Sequence, residues 1–461
     1  MSKRPFSECL ITSDNYRNPD LNEKQVVAVK SCLDAVFENS DGDRAVFITG
    51  PGGTGKSMVL EEVVRVLEHN GVSPAVTATT ANAARLVNGV TINSFAGIGK
   101  GDKALTDIMK DIYNKPYLMK RWKKTDVLII DEISLLNDQT FNLLDSIGRR
   151  TRKRSELFGG MSLILFGDFL QLPPVTGNPA FMCPAWKEIG RNIILSENMR
   201  ARKCALSEQF SRILETVRVG NVTEEVVNFF QSRLMTDTNK PPEGVRLTKI
   251  YSKNHKVDEI NSQEMAQLVN AQNPLEQFHC RVSFMGGTES ARAATKARLL
   301  GQPPAVNTLE LCAGARVVMI ANVDAKRGLV NGAIGTVMEF STVAPYHPIV
   351  KFDALNSVIK VTPHTWEESM GDKTCAYYHQ LPLRLAWCLS IHKCQGMTLD
   401  YILADLGLDT FAAGMFYVAV SRAKNPLNLF LADFDPKAIK TDDKIKKFYE
   451  EISATDGPRD P

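Results

Sequence analysis

Short apolar runs alternate with segments of helical spacing through the first 200 residues or so of the chain. Behind the first run, Met58, Val59, Val63 and Leu67 recur with the period of a helix, which predicts a helix over residues 58–68. This alternation predicts an α/β domain, in which buried strands form a parallel sheet. The predicted strands are Ala45–Thr49, Ser73–Thr77, Val127–Ile130, Met161–Phe166 and Asn192–Leu195.

The pattern changes after about Lys203, where a second α/β region begins. A strand at Val245–Tyr251 and a helix after Lys253 open this region, and the polar composition of residues 267–306 predicts an irregular segment. Short alternating runs with turns between them then predict a small antiparallel β-barrel or β-sandwich inserted into the second domain. These runs are Ala315–Ile320, Gly335–Phe340, Pro348–Phe352 and Val358–Val361, and the α/β pattern returns at Leu385–Ile391 and Tyr401–Ala404.

Two further segments differ from both domains. Between Gly97 and Lys124 a short stretch contains seven lysines and breaks the strand pattern, which predicts a small insertion outside the first sheet. The segment after Asp433 is rich in charge, so we expect it to lie mostly at the surface.

The composition limits the class of protein. A chain of 461 residues can form two or three domains, and 44% hydrophobic with 23% charged residues is typical of soluble globular proteins. The net charge of +3 does not indicate a nucleic-acid partner, so any such binding must come from local grooves. The nine scattered cysteines form no C-x-x-C pair, and no apolar run or leader-like N-terminus appears, which predicts an intracellular soluble protein in a reducing compartment.

The segment Gly50–Ser57 fits the phosphate-loop pattern G-x-x-x-x-G-K-[ST], between a predicted strand and a predicted helix. Backbone N–H groups and the positive helix end in such a corner bind a polyphosphate. Lys56 is then expected to contact the β- and γ-phosphates, and the Ser57 hydroxyl to hold Mg²⁺. The expected nucleotide-binding residues of the loop are Gly50, Pro51, Gly52, Gly53, Thr54, Gly55, Lys56 and Ser57.

Two later strands also end in polar side chains. Val127–Ile130 is followed by Asp131 and Glu132, and carboxylates at this edge of an α/β sheet lie in the ligand crevice. In phosphate-loop ATPases the first such acid holds Mg²⁺ and the second orients the attacking water. The predicted strand Met161–Phe166 leads to Gln171 and a Pro-Pro turn. The residues are consistent with either a γ-phosphate sensor at Gln171 or a purely rigid turn.

Taken in order, the motifs resemble those of superfamily-one helicases. The similar segments include Gly50–Ser57, Ile129–Ser134, Gly167–Val175, Ser390–Leu399 and Tyr417–Lys424. Leu21–Gln25, Gly89–Gly97, Gly314–Met319 and Gly328–Gly332 resemble the Pif-one branch, which is related to RecD, and the similarity extends from about residue 21 to 433.

This resemblance implies an α/β fold with two RecA-like domains and an SH3-like β insertion in the second. The expected boundaries are 1–203 for the first domain with its insertion at 97–124, 204–305 and 385–461 for the second, and 306–384 for the SH3-like domain.

The resemblance also implies a role for individual residues. Gln25 would read adenine, Asp131 would complete the Mg²⁺ site with Ser57, and Glu132 would be the catalytic base. The other residues with an implied nucleotide role are Lys56, Gln171, Arg200, Arg422, Gln395 and Gly396, of which the two arginines would reach the γ-phosphate. Implied DNA contacts are Thr79, Thr80, Asn93, Phe95, Ser390 and His392, with Phe95 offering a stacking face.

Some positions depart from the family pattern or leave alternatives open. Asn93, Cys312 and Cys394 stand where the family usually has His, Lys, and Ser or Ala, which affects the expected DNA contacts and not the class. Residues 149–154 contain five basic residues in six. This run is a solvated helix end, a DNA-contacting patch or a nuclear import signal, in that order of preference.

The function implied is that of an ATP-dependent DNA helicase moving 5′ to 3′ on single-stranded DNA, in replication, repair or recombination. ATP and Mg²⁺ are the expected cofactors, and single-stranded and duplex DNA the partners, together with single-strand-binding or replication proteins. A monomer is expected, in the cytoplasm if bacterial or phage and in the nucleus if eukaryotic or nuclear viral. The alternatives are an ATP-switched nucleic-acid clamp, an ATPase acting on proteins, and RNA as the substrate.

Overall fold

The computed structural model describes residues 10–38, 44–99, 101, 103–197, 205–301, 304–324, 327, 329–344, 346–353, 355, 357–369 and 375–455. These residues divide into two compact units. The first unit comprises residues within 1–169, 173–200 and 443–461, and the second comprises 170–172 and residues within 201–442.

The first unit is built on a parallel sheet. Its strands are β1 (Ala45–Thr49), β2 (Ala75–Ala78), β3 (Val90–Thr91), β4 (Val127–Asp131), β5 (Ser162–Phe166) and β6 (Arg191–Ile194). The order is β3-β2-β4-β5-β1-β6, with every neighbouring pair parallel. Its helices up to residue 152 are α1 (Glu23–Phe37), α2 (Lys56–His69), α3 (Ala81–Leu86), α4 (Ile92–Ala96), α5 (Leu105–Tyr113), α6 (Pro116–Lys124) and α7 (Asp138–Arg152).

The five strands predicted for this unit are confirmed: β2, β4, β5 and β1 fill the middle of the sheet, and β6 lies at one edge. All residues of β1 and β5 are buried, as expected for parallel strands covered on both faces. The strand β3 was not predicted; it has only two residues, at the edge of the sheet, and is too short to show a period.

The insertion at 97–124 is helical, and its described residues contain no strand, as predicted. Its helices α5 and α6 nevertheless belong to the packed core of the first unit. The Trp122 side chain is 0% exposed and donates its indole N–H to the Ala96 carbonyl over 3.2 Å. The insertion therefore cannot be removed without opening a buried cluster.

The second unit contains a smaller parallel sheet and an antiparallel region. In chain order its elements are α8 (Ala205–Arg218), α9 (Glu224–Gln231), β7 (Thr248–Tyr251), α10 (Asn254–Leu268), β8 (Glu276–His279), β9 (Arg281–Met285), α11 (Glu289–Gly301), β10 (Thr308–Leu311), β11 (Arg316–Met319), β12 (Ile334–Phe340), β13 (Pro348–Phe352), β14 (Val358–Lys360), β15 (His364–Ser369), β16 (Cys375–Gln380), β17 (Leu383–Leu385), β18 (Cys388–Ser390), α12 (Ile391–Cys394), β19 (Ile402–Leu406), α13 (Met415–Val420) and β20 (Leu429–Phe434).

The parallel sheet has the order β18-β7-β19-β20. The four alternating runs form β11 to β14, which are antiparallel as predicted for the inserted region, and β17 adds a fifth strand to give the order β14-β13-β12-β11-β17. Leu383–Leu385 pairs with β11 here, so the return to the parallel sheet begins only at Cys388.

The prediction of an irregular segment at 267–306 is wrong. This stretch contributes β8, β9 and α11, and β9 pairs with β16 in a three-stranded sheet with β15. Its apolar residues are too few to show a period. Leu299 is buried and Val282 and Phe284 are partly buried in a cluster with Tyr378 and Trp366 from distant strands. The structure thus depends on pairing partners almost 100 residues away.

The C-terminal segment lies mostly at the surface, as expected, but its assignment to the second domain is wrong for the residues from 443 onward. The described residues from 443 to 455 belong to the first unit. Their helix, α14 (Asp443–Thr455), buries Ile445, Tyr449 and Ile452. These residues recur at helical spacing between charged positions, so the charge masks an amphipathic helix.

Candidate nucleotide and DNA site

The phosphate loop joins β1 to α2 through glycines in conformations that other residues rarely adopt. Gly50 has φ +147° and Gly55 has φ +83°. A side chain at Gly50 would collide with the Leu195 carbonyl, so the chain can turn here only with glycine. The Lys56 ammonium donates to the carbonyl oxygens of Gly50 (2.6 Å) and Pro51 (3.0 Å), inside the curve of the loop.

Asp131 and Glu132 lie at the end of β4. This strand pairs with β5, which in turn pairs with β1, the strand that leads to the phosphate loop. Burial and the nearby charge of Glu132 together raise the pKa of Asp131 to about 7, against the opposing effects of a hydrogen bond from the Glu132 backbone N–H and of the Lys56 charge. Glu132 has φ +52°, a left-handed conformation that is uncommon for a residue other than glycine. Such strain is typical of functional sites.

The residues present fit a magnesium ion. Burial and the adjacent Glu132 carboxylate raise the pKa of Asp131 although Lys56 lies nearby, and a divalent cation would relieve this unfavourable accumulation of negative charge. A carboxylate and a hydroxyl supply the oxygen ligands that Mg²⁺ prefers. Asp131 and Ser57 are the residues that would hold it, as the sequence predicts.

Gln25 lies against the phosphate loop. Its side-chain N–H donates to the Thr54 carbonyl over 3.1 Å, and its side-chain oxygen accepts the Asn22 backbone N–H over 3.0 Å. Asn22 and Gln25 thereby form a capping box at the start of α1. The amide is buried and engaged on both sides, so its predicted reading of adenine stays a prediction.

The other residues with an implied nucleotide role lie in the second unit or outside the described residues. Arg422 is 2% exposed and donates to the carbonyls of Val418 and Met397 and to the Ser421 hydroxyl. Gln171 is buried, with its carbonyl packed against Gly414 before α13. Gln395 and Gly396 follow α12, and Gly396 has φ +78°. Arg200 lies outside the described residues, and the roles of all five stay predictions.

The expected DNA contacts in the first unit follow the strand ends beside Glu132. The Thr79 hydroxyl donates to the Glu132 carbonyl over 2.8 Å, and the Thr80 hydroxyl accepts the Ala83 N–H in the first turn of α3. Asn93 donates its side-chain N–H to the Gly99 carbonyl over 3.0 Å. These polar groups are half-buried or exposed, and their binding to DNA stays a prediction.

The stacking role expected of Phe95 is not supported. Its ring is 2% exposed and packs against Trp122, with ring centroids 5.4 Å apart. The Arg121 guanidinium lies 6.0 Å from the same ring and donates to the Phe95 carbonyl. Phe95 is therefore a core residue that joins α4 to the insertion, because the insertion supplies an aromatic partner that no local pattern shows.

Ser390 and His392 lie at the start of α12 in the second unit. His392 is exposed, whereas Ser390 is 1% exposed and its hydroxyl has no hydrogen-bond partner among the described residues. A buried hydroxyl of this kind is uncommon. Contact of Ser390 with a phosphate would therefore require this turn to open, and the predicted contact is untested.

The basic run at 149–154 is divided between structural and exposed residues. Arg149 binds Asp145 and Glu188, and Arg152 donates to the carbonyls of Gly159, Trp122, Lys123 and Thr125. Arg150, Lys153 and Arg154 are exposed. Arg149 and Arg152 therefore stabilise the end of α7 and its contact with the insertion. None of the three interpretations of the basic run predicted this structural role.

The match to known families covers most of the chain. A model described as PIF1-like helicase matches residues 20–228, and one described as DNA helicase Pif1, 2B domain, matches residues 296–340. The chain is 34% identical to ATP-dependent DNA helicase PIF1 of Danio rerio, covering 98% of this chain and 68% of that protein. With the PIF1 protein of Homo sapiens the identity is 32%, over 94% of this chain and 64% of that protein.

Solved structures agree with this match. The crystal structure of Pif1 helicase from Candida albicans superposes with a TM-score of 0.74 at 31% identity, covering 94% of this chain and 99% of that one. Bacteroides sp Pif1 in complex with ADP-AlF4 gives a TM-score of 0.76 at 25% identity, covering 94% and 97%. None of the helices in the described part of the chain has the length and apolar character needed to cross a membrane. The chain has the two RecA-like domains of these helicases and belongs to the PIF1-like helicase family.

Proposed function

We propose that the chain is an ATP-dependent DNA helicase that moves 5′ to 3′ along single-stranded DNA and separates duplex or folded DNA. The observation that carries the proposal is the first unit's constellation, in which Lys56, Asp131 and the strained Glu132 meet at one edge of a parallel sheet. The relatives support it, because the matched PIF1 proteins are named ATP-dependent DNA helicases.

The chemistry of the site follows from the geometry of its side chains. Lys56 supplies a positive charge inside the loop and would exchange its two carbonyl partners for phosphate oxygens. Asp131 and Ser57 would hold Mg²⁺, and Glu132 would accept the proton of the attacking water. Arg200 and Arg422 would stabilise the charge that develops on the γ-phosphate.

DNA is the proposed partner. Bacteroides Pif1 has been solved bound to single-stranded DNA, and a related structure describes two Pif1 helicases at forked double-stranded DNA. In this chain Thr79, Thr80, Asn93 and His392 offer hydroxyl, amide and imidazole groups that bind phosphates without reading bases. Single-strand-binding or replication proteins are proposed as further partners.

Strand displacement on duplexes with a single 5′ or 3′ tail tests the proposal. Wild type is compared with Glu132→Gln and with Glu243→Gln, which makes the same charge change at an exposed loop position. We expect unwinding from the 5′ tail only, and a loss of about 100-fold or more in Glu132→Gln, since general-base catalysis contributes about 10² to 10⁴. Glu243→Gln should match wild type.

Three outcomes would contradict the proposal. Unwinding from the 3′ tail alone would exclude the proposed direction, and full activity of Glu132→Gln would exclude the proposed base. ATP-dependent DNA binding without strand separation on any substrate would favour an ATP-switched clamp.

A further inference from the structure

We propose that Tyr449, at the far end of the chain, is a positioning residue for the nucleotide site. Its hydroxyl lies 2.6 Å from the Thr49 hydroxyl, 2.9 Å from a carboxylate oxygen of Asp168 and 3.1 Å from the Phe169 backbone nitrogen. All four residues belong to the first unit, although Tyr449 is 400 residues from Thr49 in the sequence. The inference rests on the proposed function, since it assigns a role within the ATPase site.

The hydrogen-bonding capacity of the Tyr449 hydroxyl is used completely. Asp168 is 0% exposed, and the Tyr449 hydroxyl donates its one hydrogen to a carboxylate oxygen of Asp168. The two oxygen lone pairs are then available for the Thr49 hydroxyl hydrogen and the Phe169 N–H. Burying a carboxyl group is costly unless it is hydrogen-bonded, so this donor stabilises Asp168 inside the first unit.

The partners of Tyr449 stand at two functional points of the first unit. Thr49 ends β1 and directly precedes Gly50, where the phosphate loop begins. Asp168 and Phe169 follow β5 and directly precede residues 170–172, which include Gln171 and belong to the second unit. Since β1 and β5 are neighbouring parallel strands, one hydroxyl holds the starts of both loops at a fixed separation.

The helix that carries Tyr449 is held independently by packing. The neighbouring Phe448 ring stacks on Phe181 with centroids 4.2 Å apart and also contacts Phe169 edge to face at 5.7 Å. Ile445 and Ile452 are buried on the same helix. Loss of the hydroxyl alone should therefore leave α14 in place, which allows its positioning role to be separated from the anchoring of the helix.

The test compares Tyr449→Phe with Tyr16→Phe in the full chain. Tyr16 is also buried in the first unit, and its hydroxyl donates to Glu62 over 2.8 Å, so the control removes a buried tyrosine hydroxyl of the same kind without contact to Thr49 or Asp168. Amide hydrogen exchange is measured for peptides covering residues 45–57 and 162–172. Both variants are also melted to compare their loss of stability.

We expect exchange in both peptides to rise by about two- to tenfold in Tyr449→Phe, the range that corresponds to one net hydrogen bond. Tyr16→Phe, with a similar shift in Tm, should leave both peptides as in wild type. Unchanged exchange in Tyr449→Phe would overturn the proposal, because the hydroxyl would then contribute nothing to the order of the loops.

ATP hydrolysis gives the second measurement. DNA-stimulated kcat should fall by about two- to tenfold in Tyr449→Phe with KM for ATP changed by less, and Thr49→Val should add little to Tyr449→Phe because both remove the same contact. Additive losses, or a kcat equal to that of Tyr16→Phe, would contradict a positioning role. A wild-type chain without ATPase activity would refute the proposed function, while the exchange experiment would still decide the role of Tyr449.

Discussion

The Thr79 hydroxyl donates a hydrogen bond of 2.8 Å to the backbone carbonyl of Glu132. Thr79 follows β2 and Glu132 follows β4, which are neighbouring strands, and the Thr79 N–H also donates to the Asp131 carbonyl over 3.2 Å. A residue expected to contact DNA is thereby bonded to the strained peptide of the expected catalytic base. The hydroxyl has one hydrogen, which can serve either Glu132 or a DNA phosphate.

Thr79→Val tests this link, because valine keeps the shape and lacks the hydroxyl. We expect the stimulation of ATP hydrolysis by single-stranded DNA to fall by about two- to tenfold, the range of one hydrogen bond, with the basal rate less affected. Thr79→Ser, which keeps the donor, is the control and should retain stimulation. Equal stimulation in Thr79→Val and wild type would show that the hydroxyl does not connect the two sites.

Gln25 and Asn22 can be separated by mutation, since both cap α1 but only Gln25 contacts the phosphate loop. Asn22→Ala should cost about 1 kcal/mol of stability through the lost cap. Gln25→Ala should cost a similar amount and, in addition, raise KM for ATP by severalfold. Melting curves and steady-state ATPase assays check both. A KM that is equally raised in the two variants would assign the effect to the helix cap instead.

Two arginines of the basic run should differ in their contribution to the free energy of unfolding. Arg152→Ala removes donors to four backbone carbonyls and should lower the free energy of unfolding by about 2 to 4 kcal/mol. Arg150→Ala, at an exposed position, should leave stability within about 0.5 kcal/mol. If the run contacts DNA, Arg150→Ala should also reduce the slope of the logarithm of DNA affinity against the logarithm of salt concentration by about one, which corresponds to one phosphate contact. An unchanged salt slope would leave the run as a solvated helix end.

The Glu62 carboxylate should make the first unit sensitive to acid. Its hydrogen bond from Arg65, with those from Tyr16 and Asn18, lowers its pKa from 4.5 to about 2 against the opposing effect of burial. Because the folded pKa is lowered, this stabilisation is complete above about pH 4.5 and is lost as the pH falls towards 2. Urea unfolding of wild type and Glu62→Gln should differ at pH 7 and converge at low pH. A difference independent of pH would contradict the assignment.

The role of the insertion at 97–124 in unwinding is best tested by replacing its exposed lysines. Deleting the insertion would also remove the buried Trp122 and so disturb the hydrophobic core. Lys115, Lys123 and Lys124 are exposed, and their joint replacement by Gln should preserve the fold. If the insertion is the strand-separating wedge, unwinding should fall by more than about tenfold while DNA-stimulated ATPase changes by less than about twofold. The matched control replaces Lys437, Lys444 and Lys447, exposed lysines of the C-terminal region, and loss of both activities in the insertion variant would indicate a general role in DNA binding.

Local patterns were sufficient for much of the fold and for the elements of the nucleotide site. The five long strands of the first sheet, the phosphate loop and the Asp131–Glu132 pair are encoded by contiguous residues, because strand burial and glycine turns act over a few positions. The same holds for the antiparallel strands around Ala315–Val361, whose alternation has a period of two. The helicase family followed from the order of motifs along the chain.

Tertiary structure alone decided which of these residues meet. Phe95 was expected to face DNA and is instead covered by Trp122, and Arg152 was part of a charge run and instead binds four carbonyls. No pattern placed Tyr449 beside Thr49, since their contact spans 400 residues. A sequence determines local conformation through neighbouring residues, whereas burial and hydrogen-bond partners come from segments that only the folded chain brings together.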